Sequence, residues 1–280
     1  MNKNAMINKN DSIGRGKTMS ELYAFLLTLF AGLSTGIGGL IAFHKRAKSK
    51  VFLTFALGFS AGVMIYVSFV EIMPKAIASL SEIFEPKTGY IYAVIAFFVG
   101  MGFIALIDWI IPEAENPHEI PDETNDERDK KNLMRMGLFS ALAITIHNFP
   151  EGLATFVAAM DSLSLGISIA IAIALHNIPE GIAVAVPIYQ ATGSKKKAFC
   201  YAFASGLAEP IGAVIGYFAL RAIFSDMTFG LVFAFVSGIM IYISLDELLP
   251  TAEKYGKHHI AITGVILGMV LMAVSLILFA

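Results

Sequence analysis

Eight apolar stretches separated by short polar connections set the pattern of this chain of 280 residues. Each stretch, as an α-helix, is long enough to cross the roughly 30 Å hydrocarbon core of a bilayer. The pattern therefore predicts an all-α integral membrane protein with eight transmembrane helices. The predicted spans are residues 20–43, 51–73, 89–111, 133–159, 164–189, 197–221, 227–249 and 258–279.

Longer polar sequence is confined to residues 1–19 and 112–132. The first segment is rich in Asn and Lys and has no apolar period, which predicts a disordered tail. The second holds eight acidic and three basic residues together with His118, which predicts a solvated acidic loop. A weak metal-collecting or regulatory role is the alternative for this loop. Residues 20–280 are then expected to form a single eight-helix transmembrane domain.

The composition supports a membrane protein and excludes several other classes. Hydrophobic residues make up 56% of the chain and charged residues only 15%, unlike an ordinary soluble domain. The formal net charge of −2, with no basic stripe, argues against a nucleic-acid partner. The single cysteine, Cys200, excludes an intrachain disulfide and a Cys-rich zinc site. The expected partner of the chain is the lipid bilayer that surrounds its helices.

The distribution of Lys and Arg predicts how the chain is oriented. An even number of spans places both termini on one side of the membrane, and the segments on that side hold seven Lys and Arg residues against thirteen on the other. Cytoplasmic loops are enriched in these residues. We therefore expect both termini to be extracytoplasmic and the acidic loop at 112–132 to be cytoplasmic, in a protein of the cytoplasmic membrane.

Two internal repeats predict a symmetric arrangement of the spans. The sequence GVMIYVSFVEIMPKA at residues 62–76 matches GIMIYISLDELLPTA at 238–252, and HNFPEG at 147–152 matches HNIPEG at 176–181. Spans two and seven are thus paired, as are four and five. An odd number of crossings separates the members of each pair, so they run in opposite directions. This indicates a 3+2+3 inverted repeat, which is typical of secondary transporters with a shared site near the midplane.

The doubled HNxPEG phrase carries the candidate chemistry. In each copy the His and the Glu lie four positions apart and project from one face of a helix. The intervening Pro cannot donate a backbone hydrogen bond, so it is expected to kink the helix and to free the carbonyl of Ile146 or Leu175. Glu209, near the middle of the sixth span, adds a third costly intramembrane carboxylate. The candidate metal ligands are His147, Asn148, Glu151, His176, Asn177, Glu180 and Glu209.

These ligand types indicate divalent metal ions. Imidazole combined with carboxylate suits first-row divalent ions, and the absence of thiolate disfavours a tight structural zinc site. Three carboxylates offset most of the charge of two such ions, or nearly all the charge of one ion plus a proton change. We expect two adjacent sites bridged by Glu151. The first site contains His147, Glu151 and His176, and the second contains Asn148, Asn177, Glu180 and Glu209.

The other repeat pairs Glu71 with Glu247. Because spans two and seven run in opposite directions, Glu71 is expected near the outer mouth and Glu247 near the inner mouth. Each either lines the ion pathway or is simply solvated near the headgroups.

The motifs together resemble the ZIP family of divalent-metal transporters, and within it the bacterial ZupT-type branch. The resemblance covers about residues 20–280 and rests on the two HNxPEG phrases, GLSTGIGG at 32–39, GFSAGVMIYVSFVEI at 58–72 and GLAEP at 206–210. It implies eight spans, extracytoplasmic termini, a two-metal site in spans four to six and uptake toward the cytoplasm. It also implies the two ligand sets given above, with Glu151 in both. Some family members have Gln-Asp in place of His176 and Asn177, so their metal preference does not transfer.

Three functions use such a site. The first is uptake of Zn²⁺, and of Fe²⁺, Mn²⁺, Co²⁺ and Cd²⁺, by alternating access, with the metal as substrate rather than cofactor. Metal efflux would use the same ligands in the opposite direction. A membrane-embedded metal-dependent hydrolase is disfavoured because no HExxH motif is present and because it would not require carboxylates at both mouths. The chain is therefore expected not to be an enzyme. Its oligomeric state is open, and a homodimer is one possible assembly.

Overall fold

The regular structure is helical throughout the described residues of the computed structural model. These are residues 3–44, 49–110, 126–220, 225–255 and 257–279. The positions described by their backbone alone are 3–19, 108, 110, 126–129, 131, 132, 136, 139, 143, 147, 220, 254, 255 and 279. The helices are α1 (Lys3–Ile41), α2 (Lys50–Val67), α3 (Met73–Ile83), α4 (Pro86–Ile110), α5 (Asp126–Asp161), α6 (Leu163–Thr192), α7 (Lys195–Gly206), α8 (Ala208–Leu220), α9 (Asp226–Ile243), α10 (Leu249–Tyr255) and α11 (His258–Phe279).

Seven helical segments of the described chain are long and apolar enough to cross a membrane. They correspond to the predicted spans one, two, three, five, six, seven and eight. The all-α membrane fold is thus confirmed. The predicted fourth span, 133–159, lies within the 36 residues of α5, where several side chains fall outside the description. The fourth span, and with it the total of eight, therefore stays a prediction. The seven segments are Ser20–Ile41, Lys50–Ile83, Pro86–Ile107, Leu163–Thr192, Lys195–Ala219, Asp226–Glu253 and His258–Leu278.

The two polar segments differ from their predicted form where the structure describes them. Helix α1 begins at Lys3, so the segment predicted as a disordered tail continues the helix of the first span. Extending an existing helix avoids the unfavourable nucleation step, which composition alone does not take into account. Residues 111–125 of the acidic loop lie outside the described residues, and 126–132 form the first turns of α5.

Spans two and seven each contain a π-helical segment that the sequence analysis did not predict. The segment π1 (Ser68–Ile72) joins α2 to α3, and π2 (Ser244–Leu248) joins α9 to α10. In each, a backbone N–H donates to the carbonyl five residues earlier, Met73 to Ser68 and Leu249 to Ser244. A proline follows each segment at position 74 or 250. Because a proline ring clashes with the carbonyl four residues before it, a wider turn relieves the contact.

Glycine contacts show that the helices next to spans two and seven are also related in pairs. A Cβ at Gly62 of α2 would collide with the carbonyl of Val265 on α11, and one at the equivalent Gly238 of α9 would collide with the carbonyl of Phe97 on α4. Span two therefore packs on span eight as span seven packs on span three. A repeat that relates the first three spans to the last three pairs span two with span seven and span three with span eight. The two packing contacts are therefore the equivalent ones that such a repeat requires.

The same relation holds around the two HNxPEG phrases. Gly152 of α5 lies against the carbonyl of Glu209 on α8, and Gly181 of α6 lies against the carbonyl of Thr35 on α1. Gly32 and Gly206 each approach the other's carbonyl. These contacts align GLSTGIGG at 32–39 with GLAEPIGA at 206–213. Spans one and six thus contain a third repeat, which the sequence analysis did not identify.

Candidate metal centre

The predicted ligands that the structure describes are all fully buried. Their relative exposure is 0%, although each carries a polar or ionisable group. Burying a carboxylate is costly unless another charge or several hydrogen bonds compensate for it. Several such groups in the interior of a membrane helix bundle therefore indicate a functional site. The buried side chains are Asn148, Glu151, His176, Asn177, Glu180 and Glu209. The side chain of His147 lies outside the described part of the chain.

Helices α5 and α6 bring the two HNxPEG phrases together. Both helices continue through the proline of the phrase, Pro150 in α5 and Pro179 in α6. Nε2 of His176 lies 3.3 Å from Oε2 of Glu151. The imidazole of the second phrase therefore meets the carboxylate of the first, and both belong to the predicted first site.

The two asparagines hold their amide groups in equivalent ways. Asn148 donates its Nδ2 to the carbonyl of Ser205 at 3.2 Å, and Asn177 donates its Nδ2 to the carbonyl of Ala31 at 2.9 Å. Ala31 and Ser205 are equivalent positions in the third repeat, since each precedes its first glycine. Asn177 also donates to the carboxylate of Glu209. The amide nitrogens are thus engaged by the protein, which orients the amide oxygens.

Four oxygen atoms of these side chains have no hydrogen-bond partner within the described residues. They are Oδ1 of Asn148, Oε1 of Glu151, Oδ1 of Asn177 and Oε2 of Glu209. An unsatisfied buried polar atom costs about 1–3 kcal/mol, and native proteins tolerate few of them. Divalent cations bound beside these atoms would compensate for their missing partners. The donor set of amide oxygens, carboxylates and an imidazole fits a divalent metal ion.

The contacts join the ligands in two pairs rather than in a closed coordination shell. Glu151 meets His176, and Asn177 meets Glu209. In the part of the chain with described side chains, no three His, Cys, Asp or Glu residues are close enough to hold one ion together. This search includes neither the amide oxygens nor His147.

Glu71 and Glu247 lie in π1 and π2 and are partly exposed.

The sequence analysis did not identify two residues with hydroxyl groups that lie near the site. Ser60 of α2 donates its Oγ to the carbonyl of His176 at 3.3 Å, and Thr35 of α1 lies beside Gly181 and Gly206. Aligning residues 32–39 with 206–213 would have indicated Thr35, because it takes the position of Glu209. Nothing in the sequence around Ser60 separates it from other small residues in span two.

Fold and site together define a polytopic helical membrane protein with a buried set of polar and ionisable side chains. The family model described as ZIP Zinc transporter matches residues 15–108 and 112–276. The chain belongs to the ZIP family, as the motifs suggested, and is thus a membrane transporter and not an enzyme.

Curated relatives match nearly the whole chain. The zinc transporter ZupT of Chlorobaculum parvum is 62% identical over 93% of this chain and 98% of its own length. ZupT of Streptococcus mutans is 62% identical over 91% of this chain and 97% of its own. ZupT of Clostridium perfringens is 58% identical over 92% of this chain and 96% of its own.

Proposed function

We propose that this protein carries zinc and related divalent ions across the cytoplasmic membrane into the cell. Membership in the ZIP family and relatives named as zinc transporters support zinc as a substrate. The observation that carries the proposal is the set of four buried oxygen atoms on α5, α6 and α8 that have no hydrogen-bond partner among the described residues. Zinc, and by the same chemistry Fe²⁺, Mn²⁺, Co²⁺ and Cd²⁺, would be the substrate of these groups.

The ligands are proposed to form two adjacent metal sites that share Glu151. His147 and His176 supply imidazoles to the first site, in which Glu151 already contacts His176 at 3.3 Å. The second site has an amide oxygen from each HNxPEG phrase, together with the carboxylates of Glu180 and Glu209. Mixed ligation of this kind, without thiolate, binds an ion with moderate strength. An ion in transit has to leave its ligands again.

Alternating access of the repeated halves would expose this site first to one side of the membrane and then to the other. The ion enters past Glu71, loses water to the buried ligands, and leaves past Glu247 toward the cytoplasm. The equivalent contacts of Gly152 with α8 and of Gly181 with α1 support such a symmetric movement, since the two halves pack on their neighbours in the same way. Both termini are proposed to face the outside.

Metal flux into proteoliposomes tests this proposal. With an indicator dye inside and zinc added outside, the wild-type chain should accumulate zinc, while His147→Ala and Glu151→Ala should lose at least about 90% of the flux, equivalent to about 1.4 kcal/mol or more. Glu82→Gln, which changes an exposed carboxylate on α3, is the control and should retain the flux. Failure of the wild-type chain to carry zinc, or flux in both site variants equal to that of the wild type, would refute transport through this site.

The direction of transport is tested by the sidedness of the reconstituted protein. Vesicles in which the outer face of the protein is exposed should take up zinc under an inward metal gradient. The same vesicles, loaded with zinc, should release it more slowly under an outward gradient of equal size. Faster release than uptake would support efflux instead.

A further inference from the structure

The third repeat gives Glu209 a counterpart with a different chemistry. In the alignment of residues 32–39 with 206–213, Thr35 takes the position of Glu209. The structure supports the equivalence, because Gly181 lies against the carbonyl of Thr35 and Gly152 lies against the carbonyl of Glu209. One half of the pseudosymmetric site therefore carries a carboxylate where the other half carries a hydroxyl.

Within the described residues, the hydroxyl of Thr35 lacks the hydrogen bond that the buried Thr28 and Thr155 make. Thr28 and Thr155 donate to the carbonyl four residues earlier at 3.0 Å. For Thr35 that carbonyl belongs to Ala31, which already accepts Nδ2 of Asn177 at 2.9 Å and Oγ of Ser34 at 2.6 Å. Thr35 is 0% exposed, and its Oγ1 has no hydrogen-bond partner among the described residues.

Contacts with α7 place this hydroxyl beside the ligands. A Cβ added at Gly206 would lie 3.0 Å from Oγ1 of Thr35. The preceding residue, Ser205, accepts Nδ2 of Asn148 at 3.2 Å. Thr35 and Asn148 therefore lie against adjacent residues of α7, Gly206 and Ser205. On the other side of the pseudo-twofold axis, Asn177 contacts Glu209 in the equivalent arrangement.

We propose that Thr35 is a specificity-determining residue whose hydroxyl, together with Oδ1 of Asn148, offers uncharged oxygen ligands to the divalent ion. This inference rests on the proposed transport function and adds a residue of span one to its binding path. The pair is the neutral equivalent of Asn177 and Glu209. Both of its oxygen atoms are buried and without a hydrogen-bond partner in the described chain.

An uncharged oxygen pair has a definite effect on the choice of metal. Zinc gains most from imidazole, whereas Mn²⁺ prefers carbonyl, carboxylate and hydroxyl or water oxygen. Removing the Thr35 hydroxyl should therefore weaken binding of Mn²⁺ more than binding of zinc. A loss of overall packing would instead affect both ions alike.

Competition between the two metals in proteoliposomes tests the proposal. For the wild-type chain, Mn²⁺ added outside should inhibit zinc flux. In Thr35→Val, the Mn²⁺ concentration that halves zinc flux should rise about fivefold to tenfold, as expected for the loss of one neutral ligand. The KM for zinc should rise by a smaller factor, since its imidazole ligands remain. Thr35→Ser, which keeps the hydroxyl, should behave as the wild type does.

Two further variants separate this role from a structural one. Thr35→Ala should share the altered competition of Thr35→Val, because both lack the hydroxyl although they differ in volume. Thr28→Val, on the same helix, removes a hydroxyl that is bonded to its own helix and should leave the competition unchanged. Equal loss for both metals, no change in Thr35→Val, or failure of Mn²⁺ to compete in the wild type would each overturn the assignment of Thr35. Absence of zinc flux in the wild type would instead overturn the transport function itself.

Discussion

The two asparagines of the HNxPEG phrases show how individual residues prepare the site. Each gives its amide nitrogen to a backbone carbonyl of a neighbouring helix, Asn148 to Ser205 and Asn177 to Ala31. Each amide oxygen is then held in place and, within the described residues, lacks a hydrogen-bond donor. Orientation by a second set of contacts is a common property of metal ligands. In the proposed site, each Asn would thus both hold two helices together and supply a ligand oxygen.

Glu209 is the residue for which the ligand role is tested most directly. Its carboxylate accepts Nδ2 of Asn177 through one oxygen, while the other oxygen lacks a partner among the described side chains. Glu209→Gln keeps the size but removes the negative charge. We expect metal affinity to fall at least about tenfold, because even the partners that orient ligands contribute 10–100-fold. Calorimetric titration of the purified protein with zinc measures this change.

The exposed carboxylate of Glu82 provides the control for that titration. Glu82→Gln removes the same charge from the surface end of α3 and should leave the affinity as it is. Unchanged affinity in Glu209→Gln would remove Glu209 from the site, whatever the transport assay shows.

At the scale of helices, close packing through glycine holds the HNxPEG phrases in place. Gly152 and Gly181 both lie where a Cβ would overlap the backbone of a neighbouring helix. Such contacts are typical of membrane helices, in which small residues let backbones approach closely. We expect Gly152→Ala and Gly181→Ala each to lower thermal stability in detergent and to abolish most zinc flux, since the overlap has to move α8 or α1 away from the ligands.

Gly102 provides the matched control for these two variants. It lies on α4, and a Cβ at this position would have no atom within 4 Å outside its own helix. Gly102→Ala should be neutral or slightly stabilising, by up to about 1 kcal/mol, because Ala has the higher helix propensity. A melting temperature for Gly152→Ala or Gly181→Ala equal to that of Gly102→Ala would contradict the packing role.

The helices and the site differ in how well the sequence predicts them. Seven spans follow from hydrophobic runs alone, since length and apolarity are the properties that a bilayer selects. The HNxPEG residues stand out because the phrase occurs twice without gaps. Thr35 does not, because Thr replaces Glu and Gly36 replaces Pro210 in its copy. The segments π1 and π2 depend on local backbone relief next to proline, which leaves the apolar pattern unchanged.

At the scale of the whole molecule, the repeats make a prediction about sidedness. Glu71 in π1 and Glu247 in π2 are equivalent and partly exposed. In an inverted repeat, equivalent residues face opposite sides of the membrane. The chain has a single cysteine, Cys200, which is exposed. Replacing it by serine gives a background in which Glu71→Cys and Glu247→Cys can be labelled separately in intact cells with a membrane-impermeant maleimide.

We expect Glu71→Cys to react in intact cells and Glu247→Cys to react only after the membrane is opened. The matched controls are Glu82→Cys on α3 and Glu253→Cys on α10, which change exposed positions at the far ends of spans two and seven and should show the same sidedness. Labelling of both π-segment cysteines from one side would contradict the inverted repeat and with it the alternating exposure of one shared site. Labelling from opposite sides, but with Glu247→Cys outermost, would keep the symmetry and reverse the predicted orientation of the termini. The experiment thus separates the symmetry, which the glycine contacts support, from the orientation, which was predicted from the distribution of Lys and Arg and from the family resemblance.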